Sequence, residues 1–588
     1  MASVGLVAAV ATLAPLAPAG SSPSTADPSV APVETTVIEL GDDLAPPVEH
    51  GSTSVAAASV TSVEASADDA AVAVPGGTDM VGFTWAGDPN GEIQLRSRNA
   101  DGSWSPWVDL HGLAADAPDP GTEGRDTGGD DGGSVTPVWV GGTDRVEVRA
   151  DPALTDVSLH ALDVESPATA PATATADSYY AGASAEPTIH RRSEWGAAGW
   201  ATQNSDCDSG PRYARPHYLI IHHTVNPNTY ATGDVAGMLR GIQSFHQNTN
   251  GWCDIAYNFI VDRFGRIWEA RMGGIDKGVI GGHASGHNTG SVGIALLGDH
   301  RSSAPSSVAL AATADLVGWK SAVHYIDPRG TTTVDGGPSP TVIGHRNVVS
   351  TTCPGDLAYS KLAQIRSDAA TARSNYAPYF TEYARRYIDA GYRTFLGRGV
   401  DPDGEAYWVG VVSSGQPLTV FTGTLARSDE WINLTLDVLY RNVFGRPGDA
   451  AGMRYWADRV RAGMRLTDVG ILFYGSPENF QKSGSTSEGF VRNLYRALLL
   501  READQAGVDY WTGLLRSGRS RTDVSSGFYG SIESRTGRVR ELYQLVLGRG
   551  PDPGGEAFWA GQLLRVDDVD LAAYLAASEE YFWAAAAP

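Results

Sequence analysis

The sequence predicts a multidomain protein with a small N-terminal β domain, a central α/β domain built on a mixed sheet, and a C-terminal all-α repeat array. Its 588 residues are too many for one hydrophobic core. Residues 78–165 alternate apolar and polar positions over short runs, whereas residues 189–375 mix strand and helix patterns. Residues 376–588 contain four related units spaced by about 50 residues, a spacing typical of repeat proteins.

The first residues, "MASVGLVAAVATLAPLAPAG", form an apolar run that ends in small residues. This pattern is typical of a secretory signal peptide, which we predict over residues 1–19 with cleavage after Ala19. The positive charge that usually begins such a peptide is missing, because the first basic residue is Arg96. An upstream translation start and an Ala-rich disordered leader therefore both stay open. We favour export to an extracellular or cell-wall location, since the next stretch has the composition of exported tails.

Two linkers flank the predicted β domain. Residues 20–77 are rich in Ala, Ser, Thr, Pro and acidic residues, which predicts a disordered linker. Within residues 78–165, runs such as "GEIQLRSRN" and "DRVEVRAD" lie between turn residues and predict an antiparallel, β-sandwich-like domain. Its insert "DAPDPGTEGRDTGGDDGGS", residues 116–134, is predicted to be a solvated loop. The second linker is predicted over residues 166–188.

Four tryptophans of the β domain allow two interpretations. They form either a surface that stacks on glycans or part of the hydrophobic core, and the core is the more common place for this residue type. The four are Trp85, Trp104, Trp107 and Trp139.

The central segment, residues 189–375, carries signals for both strands and helices. "HYLIIHHT" and "SVGIALLG" predict buried strands, and "YNFIVDRFGRIWEAR" predicts two strands joined at "RFG". "GDVAGMLRGIQSFHQ" predicts a helix, because its apolar side chains fall on one face. "SVALAATADLVGWKSAVHY" predicts a second helix. Together these elements indicate an α/β domain with a mixed sheet.

The C-terminal units each predict a helix, a Gly/Asp turn and a second helix that begins with aromatic residues. The four matching segments are "YRTFLGRGVDPDGEAYW", "YRNVFGRPGDAAGMRYW", "YRALLLREADQAGVDYW" and "YQLVLGRGPDPGGEAFW". Their tryptophans, which we expect in the core, are Trp408, Trp456, Trp511 and Trp559. The acidic turns suggest either calcium binding or helix N-capping. We favour capping, since the ligand at the far end of a calcium loop is missing.

The net charge of −24 excludes whole classes of partner. A nucleic-acid-binding protein needs basic surface to neutralise phosphates, so we expect no nucleic acid. Electrostatic capture by anionic membranes or wall polymers is disfavoured for the same reason. No apolar run after the leader is long enough to span a bilayer, which predicts no transmembrane segment in the mature chain.

His222, His345 and Cys353 are the candidate metal ligands. Two imidazoles and a thiolate form a tetrahedral zinc site that leaves one position for water. The alternative is that each histidine is an ordinary hydrogen-bonded residue, and the spacing of the three matches no compact zinc finger. If Cys353 is a ligand, the other two cysteines of the chain, Cys207 and Cys253, are left to form one disulfide.

The surrounding motifs favour the metal site. "RSEWGA", "YLIIHHT", "GWCDIAYNFIVDRFGRIWEAR", "GGHASGHNTGSVGIALLG" and "GHRNVVSTTCPG" occur in this order. Together they resemble the peptidoglycan recognition proteins and the related zinc amidases of the phage-lysozyme type, over residues 189–375. The resemblance places the zinc ligands at His222, His345 and Cys353. It also implies Tyr257 and Thr351 as catalytic residues and His283 and Asn288 as substrate-binding residues.

The resemblance implies a secreted Zn²⁺-dependent N-acetylmuramoyl-L-alanine amidase. Such an enzyme hydrolyses the amide bond between N-acetylmuramic acid and L-alanine in peptidoglycan. The alternative is a non-catalytic peptidoglycan-binding or sensing protein. We favour the enzyme, because binding-only members typically lack one ligand and this sequence retains all three together with Tyr257. The C-terminal units resemble a helical module of unknown function from secreted bacterial proteins, which suggests retention on a cell-wall component by analogy.

Overall fold

The computed structural model describes residues 33–40, 44, 71–112, 116–119, 132–164, 186–202, 205–207 and 210–586. These residues divide into two compact units, one within 21–378 and the other within 379–588. In the described ranges no helix has both the length and the apolar character needed to cross a membrane. The predicted signal peptide, 1–19, and most of the predicted linker 166–188 lie outside the described residues.

The N-terminal domain is an antiparallel sheet. Its strands are β1 (Glu34–Glu39), β2 (Val72–Ala86), β3 (Glu92–Ser97), β4 (Val108–His111), β5 (Gly133–Ala150) and β6 (Thr155–Asp163). They hydrogen-bond in the order β1-β6-β2-β5-β3-β4. The prediction of an antiparallel β domain is confirmed. The described strands form one continuous sheet rather than the two separate sheets of a sandwich, and register shifts bend the long β2–β5 ladder.

The predicted linker over 20–77 is wrong in two places. Residues 34–39 form β1, which pairs with β6 along its whole length, and residues 72–77 belong to β2. The run "TTVI" in β1 has good strand propensity, but the Ala-, Ser- and Pro-rich sequence around it hides that signal. A composition averaged over a long window therefore misses a short edge strand.

The four tryptophans of the β domain do not share one environment. Trp85 is buried in the core of the sheet. Trp104 and Trp107 are half-buried, and the guanidinium carbon of Arg96 lies 5.1 and 4.8 Å from their ring centroids. Trp139 is half-buried against a cluster shared with the central domain. Trp85 lies in the core and Trp139 packs against a core cluster, so the glycan-stacking alternative remains for the Trp104–Trp107 pair.

The central domain contains a six-stranded mixed sheet. Its strands are β7 (Ile189–His190), β8 (Tyr218–His223), β9 (Phe259–Val261), β10 (Ile267–Glu269), β11 (Ser291–Leu296) and β14 (Val342–Gly344), and a separate hairpin is formed by β12 (Thr331–Val334) and β13 (Gly337–Pro340). The order is β14-β8-β11-β9-β10-β7, with only the β9–β10 pair antiparallel. The prediction of a mixed sheet is confirmed.

The central domain also contains helices. They are α1 (Arg192–Trp195), α2 (Asp234–Ser244), α3 (Ser307–Val323), α4 (Asp356–Tyr359) and α5 (Leu362–Leu396). The predicted helices "GDVAGMLRGIQSFHQ" and "SVALAATADLVGWKSAVHY" are α2 and α3, and α2 continues as a π-helical turn over Phe245–Thr249. The apolar residues that predicted α2 are buried, as expected for a helix with one apolar face.

The β sheet and the central domain share a hydrophobic cluster. Met80, Leu162 and Val164 of the N-terminal domain pack in one cluster with Met238 and Ile242 of α2. The approach is so close that a Cβ on Gly241 would clash with the Met80 sulphur. Each buried apolar side chain of this size contributes about 1.5–3 kcal/mol to burial free energy. The two domains of this unit are therefore fixed against each other.

The C-terminal unit consists of helices. They are the C-terminal part of α5, α6 (Pro402–Ser413), α7 (Leu418–Ala426), α8 (Asp429–Phe444), α9 (Ala450–Arg461), α10 (Leu466–Tyr474), α11 (Pro477–Lys482), α12 (Ser487–Leu498), α13 (Gln505–Arg516), α14 (Arg521–Tyr529), α15 (Ile532–Leu547), α16 (Pro553–Gln562), α17 (Asp568–Ala576) and α18 (Glu579–Ala586). Each repeat has the predicted helix, turn and aromatic-led helix. A third helix follows in each repeat, which the sequence pattern did not predict.

The acidic turns of the repeats cap helices, as predicted. Asp401, Asp449, Asp504 and Asp552 each accept a hydrogen bond from the backbone N–H three residues later, at 2.7–2.9 Å. The repeat tryptophans meet the prediction only in part. Trp408 is buried and the other three are half-buried. Each of the four rings packs on an aromatic ring of the third helix of its own repeat.

The repeats do not stack as an open array. The third helix of the first repeat, α7, packs on the third helix of the last repeat, α17, where Thr422 donates to the Ala573 carbonyl at 2.9 Å. The last helix, α18, packs on α5, where the Thr394 and Tyr581 hydroxyls lie 2.7 Å apart. In an open solenoid each repeat contacts only its neighbours. Contact between the first and last repeats closes this bundle instead.

Candidate metal centre

The three candidate ligands meet at one edge of the central sheet. His222 lies in β8, one residue before the strand ends, and His345 directly follows β14, which pairs with β8 in parallel. Because parallel strands end at the same edge, the two imidazoles lie side by side, with ring centroids 4.4 Å apart. Cys353 reaches the same point from the loop that precedes α4, and its Sγ lies 3.7 Å from His222 Nδ1. All three side chains are buried.

The donor set fits zinc. One donor atom from each of the three residues lies within 4.8 Å of the others. A tetrahedral zinc with Zn–N of about 2.0–2.1 Å and Zn–S of about 2.3 Å places its ligand atoms roughly 3.3–3.6 Å apart. Both ring nitrogens of His345 are buried and, among the described residues, have no hydrogen-bond partner. A buried imidazole that makes no hydrogen bond is costly, and a cation at this point would satisfy it.

Burial sets the protonation of the ligands. Burial, helped by neighbouring imidazoles, lowers the pKa of His222 well below its usual value, so this side chain is neutral and able to ligate. Burial and the Asp116 carboxylate raise the pKa of the Cys353 thiol. The backbone N–H of His223 donates to Cys353 Sγ at 3.4 Å and favours the thiolate. A bound cation would favour it far more, since metal binding releases the thiol proton.

His283 lies directly behind the candidate ligand His222. The structure places it, fully buried, behind His222, and its Nδ1 lies 3.0 Å from His222 Nε2. With His222 ligating through Nδ1, its Nε2–H donates to His283 and fixes the tautomer and the ring orientation. This contact suits a positioning role for His283, and its substrate-binding role stays a prediction. His223 points away, since its Nδ1 accepts from the His300 backbone N–H at 3.2 Å.

Tyr257 and Thr351, the predicted catalytic residues, both lie next to candidate ligands, Tyr257 beside His222 and Thr351 beside Cys353. The ring of Tyr257 is buried, with its centroid 5.4 Å from that of His222. Burial, with the nearby Asp116 and Cys353, raises the pKa of Tyr257, which keeps its hydroxyl protonated. Thr351 Oγ1 accepts the backbone N–H of Cys353 at 3.2 Å and so holds the loop that carries this ligand.

Asp116 is the site residue that sequence reasoning missed. It belongs to the insert of the β domain that was predicted to be a solvated loop, yet its Oδ1 lies 2.9 Å from His345 Nδ1 and 3.9 Å from His222 Nδ1. That prediction is wrong for the described residues 116–119. Asn288 is also buried, and its side-chain amide donates to the Ala117 carbonyl at 2.8 Å. A carboxylate delivered by another domain leaves no signal in the local sequence.

The predicted disulfide is present. Cys207, in a 3₁₀ turn over Ser205–Cys207, is bonded to Cys253 in the loop before β9, and Cys353 is the free cysteine. The bridge joins the segment that precedes β8 to the segment that carries Tyr257.

Three family models match the chain. "N-acetylmuramoyl-L-alanine amidase" matches residues 212–356. "Domain of unknown function (DUF4214)" matches residues 436–483 and 472–538, within the helical repeats. "Rv3811 N-terminal galactose-binding domain-like" matches residues 35–179, a range that includes β1.

Curated relatives align with the central domain. Peptidoglycan-recognition protein LB of Drosophila melanogaster is 35% identical over 173 residues, which are 29% of this chain and 66% of the relative. N-acetylmuramoyl-L-alanine amidase of Homo sapiens is 31% identical over 209 residues, 34% of this chain and 32% of the relative. Peptidoglycan-recognition protein SC2 of Drosophila simulans is 31% identical over 175 residues, 30% of this chain and 84% of the relative. The chain thus spans just under two thirds of the first relative and a third of the second.

Solved structures align over the same region. Wild-type Drosophila PGRP-LB has 32% sequence identity and a TM-score of 0.25, and the alignment covers 30% of this chain and 92% of that one. Human PGRP-IβC, solved in complex with glycosamyl muramyl pentapeptide, has 28% identity and a TM-score of 0.25, with coverage of 30% and 95%.

Proposed function

The chain belongs to the family of peptidoglycan recognition proteins and N-acetylmuramoyl-L-alanine amidases, and from that premise we propose that it is a secreted, zinc-dependent N-acetylmuramoyl-L-alanine amidase. The observation that carries the proposal is the buried cluster of His222, His345 and Cys353, a complete donor set for a catalytic zinc. The bond cleaved is the amide between the lactyl carbonyl of N-acetylmuramic acid and the nitrogen of L-alanine in peptidoglycan.

The residues around the cluster have separate tasks in this reaction. Zinc, when bound by His222, His345 and Cys353, supplies Lewis-acid activation of water and of the scissile carbonyl. Tyr257 keeps its proton and can donate a hydrogen bond to the oxygen on which negative charge develops. Thr351 accepts from the Cys353 backbone, so its own hydroxyl hydrogen remains available as a second donor.

The bond changes balance within the substrate and one water. The water oxygen adds to the lactyl carbonyl carbon, the carbon–nitrogen bond to alanine breaks, and the released nitrogen takes a proton. The products are a glycan strand with a free lactyl carboxylate and a stem peptide with a free amino terminus. His283 holds His222 in position through these steps by accepting its Nε2–H.

Secretion is part of the proposal. The Cys207–Cys253 bridge supports it, since structural disulfides are characteristic of oxidising compartments. Retention on a cell-wall component by the C-terminal repeats is a further expectation. It is tested by sedimentation with wall sacculi of the full chain and of a chain that ends after Leu396, which leaves helix α5 whole.

The test is mass analysis of digested peptidoglycan together with the zinc content of the purified protein. We expect close to one zinc per chain, and free stem peptides released from intact glycan. Cys353→Ser should lose both, and Thr352→Ser, at an exposed neighbouring position, should lose neither. If the protein binds sacculi and zinc but no variant releases stem peptides, the protein is a binding or sensing protein and the amidase proposal is wrong.

A further inference from the structure

We propose that Asp116 is a fourth ligand of the metal and that the segment Asp116–Asp119 occupies the substrate cleft, so that the resting protein closes its own site. The inference rests on the proposed function, because a ligand from the β domain can inhibit the site only if the site catalyses a reaction. Four observations carry it: the position of Asp116, the contacts of Asp119, the packing between them, and the anchoring of the domain that delivers them.

Asp116 stands where a fourth ligand would stand. Its Oδ1 lies 2.9 Å from His345 Nδ1 and 3.9 Å from His222 Nδ1. This oxygen is buried, and among the described residues neither it nor His345 Nδ1 has a hydrogen-bond partner. The two atoms are within ion-pair distance but form no hydrogen bond, and a cation that both of them ligate would satisfy them. Carboxylate oxygens are ordinary zinc ligands, so Asp116 would add one oxygen to the two nitrogens and one sulphur of the other three residues.

Asp119 is held by five hydrogen-bond donors of the central domain. Its carboxylate accepts from three backbone N–H groups, those of Gly286 at 2.9 Å and of Asn288 and Thr289 at 3.3 Å. It also accepts from the Asn288 side-chain amide at 2.8 Å and from the Thr289 hydroxyl at 3.0 Å. A carboxylate that accepts several N–H bonds is strongly held. Asn288, the predicted substrate-binding residue, is therefore engaged by the protein's own chain.

The two residues between these aspartates also pack against the central domain. Ala117 packs on Trp252 and Ala256, and its carbonyl accepts from Asn288. Pro118 is buried, and its ring lies so close to Gly282 that a Cβ there would be 3.1 Å from the proline Cγ. Each of the four consecutive residues thus contacts the central domain. Such continuous contact distinguishes a bound segment from a loop that passes over the surface.

The fold delivers the segment to this place. The chain leaves the sheet at His111, the end of β4, five positions before Asp116. Arg301 of the central domain contacts this exit, with Nη2 donating to the Asp109 carbonyl at 2.8 Å and Nη1 3.2 Å from His111 Nε2. Together with the shared cluster around Met80, these contacts hold the start of the loop beside the metal centre.

A closed site must open before a substrate binds. With Asp116 on the metal, the position needed for water and the scissile carbonyl is taken, and the Ala117–Asp119 contacts fill the adjoining cleft. The apparent affinity for a muropeptide is then reduced by the fraction of molecules in which the segment has left. Weakening the segment should therefore strengthen substrate binding and raise the rate.

The experiment compares the full-length chain with Asp116→Ala, Asp119→Ala and the double variant. Asp144→Ala, at an exposed position of the same β domain, is the matched control. The first readout is the visible absorption of the Co²⁺-substituted protein, which reports the ligands around the metal. The second is the Kd of a soluble muropeptide for the metal-free protein, measured by calorimetry. The third is hydrolysis of that muropeptide by the zinc form.

We expect the Co²⁺ spectrum to change in Asp116→Ala and to stay unchanged in Asp119→Ala and in the control. The muropeptide Kd should be about 10-fold lower, or lower still, in the double variant. This factor corresponds to a natural chain in which the segment is displaced in about a tenth of the molecules or fewer. Hydrolysis at low substrate concentration should rise by a similar factor.

Two results would overturn the inference. One is an identical Co²⁺ spectrum and an identical Kd in every variant, which would mean that Asp116 is no ligand and that the segment blocks nothing. The other is a loss of hydrolysis in Asp116→Ala with unchanged Kd, which would make Asp116 a catalytic group. If the spectrum and the Kd shift as expected but no variant hydrolyses muropeptide, the internal ligand stands and the proposed amidase activity fails.

Discussion

The aspartates of the C-terminal repeats and those of the loop after β4 occupy similar Gly- and Pro-containing sequences but have different partners. In the repeats, Asp401 accepts from Gly404, three positions along the same turn. In the loop, Asp119 accepts from Thr289, which is 170 positions away in another domain. The repeat aspartates are exposed and cap helices, whereas Asp116 is directed at a buried cluster of metal ligands. Residue type and local context are alike in the two regions, so the difference lies in the tertiary structure.

This contrast shows which interactions a sequence reveals. A helix cap forms between residues a few positions apart, and the repeats present the same cap four times. The contacts of the loop depend on how one domain packs against another, and the packing surface includes ordinary core residues such as Met80 and Val164. Nothing in the local pattern around Asp116 distinguishes it from a solvated acidic residue.

If Asp116 acts through a metal, substituting Asp116 should have no effect once a metal ligand is removed. The effects of substituting the repeat aspartates should not depend on that ligand. Cys353→Ser replaces a thiolate by a neutral hydroxyl. Loss of a residue that only supports a ligand lowers metal affinity by up to about 100-fold, so we expect the loss of the ligand itself to lower zinc affinity by more than that. Amidase activity should disappear with the metal. The measurements are zinc titration against a chelator and muropeptide hydrolysis.

The double variant Cys353→Ser with Asp116→Ala sharpens the test. In the serine background the second substitution should change hydrolysis no further. Full zinc affinity and a normal rate in Cys353→Ser would contradict both the ligand assignment and the role given to Asp116.

Tyr257→Phe separates chemistry from metal binding within the central domain. The substitution removes one hydroxyl beside the cluster and leaves the three ligands untouched, so zinc content and fold should stay normal. We expect kcat to fall about 100-fold, as for loss of one donor to the transition state. Steady-state kinetics with zinc analysis checks this, and Tyr213→Phe, an exposed tyrosine of the same domain, is the control.

Loss of the disulfide tests a long-range link that the cysteine count could predict. The bridge joins positions 46 residues apart, and its removal by a double substitution of Cys207 and Cys253 to Ala should cost about 2–4 kcal/mol of unfolding free energy. Denaturant unfolding measures this cost. Dithiothreitol should lower the stability of the natural chain to that of the variant, and should leave the variant unchanged. Equal stability of the two oxidised proteins would contradict the expectation.

The sequence predicted the three-part architecture, the mixed sheet, the caps of the repeats and the approach of His222, His345 and Cys353. These features follow from periodic apolar patterns, from local hydrogen bonds and from motifs that resemble a known family. It did not predict β1, because a six-residue edge strand is lost in an Ala- and Pro-rich stretch. The sequence also did not predict the contact between α7 and α17 that closes the repeats. The corresponding helices of the repeats have similar sequences, so the sequence does not indicate which repeats pack against each other.

A half-buried carboxylate of the repeats provides a pH test of the same contrast. Burial and the nearby Asp568 raise the pKa of Glu541 to about 7. The folded state therefore binds more protons than the unfolded state between the ordinary pKa and about 7, so stability decreases as the pH rises through this window and is lowest above it.

Glu541→Gln removes this charge. We expect the variant to be more stable than the natural chain at pH 8, by about 1–3 kcal/mol, with the difference disappearing near pH 4. Scanning calorimetry of the full chain at several pH values measures it, with Glu502→Gln at an exposed position as control. A constant difference at all pH values would show that the effect comes from packing instead of titration.

The smallest effect belongs to a single helix cap. Asp552 accepts the backbone N–H of Gly555 at 2.8 Å and begins α16. Asp552→Ala removes this acceptor, and we expect a loss of about 1 kcal/mol. Asp552→Asn keeps an acceptor at the cap and should lose much less. Because the interaction is local, neither variant should change zinc content, the Co²⁺ spectrum or muropeptide binding, all of which respond to Asp116. A change in muropeptide Kd in Asp552→Ala would show that the repeats and the metal centre are coupled, and would break the contrast between a local cap and a carboxylate that acts across domains.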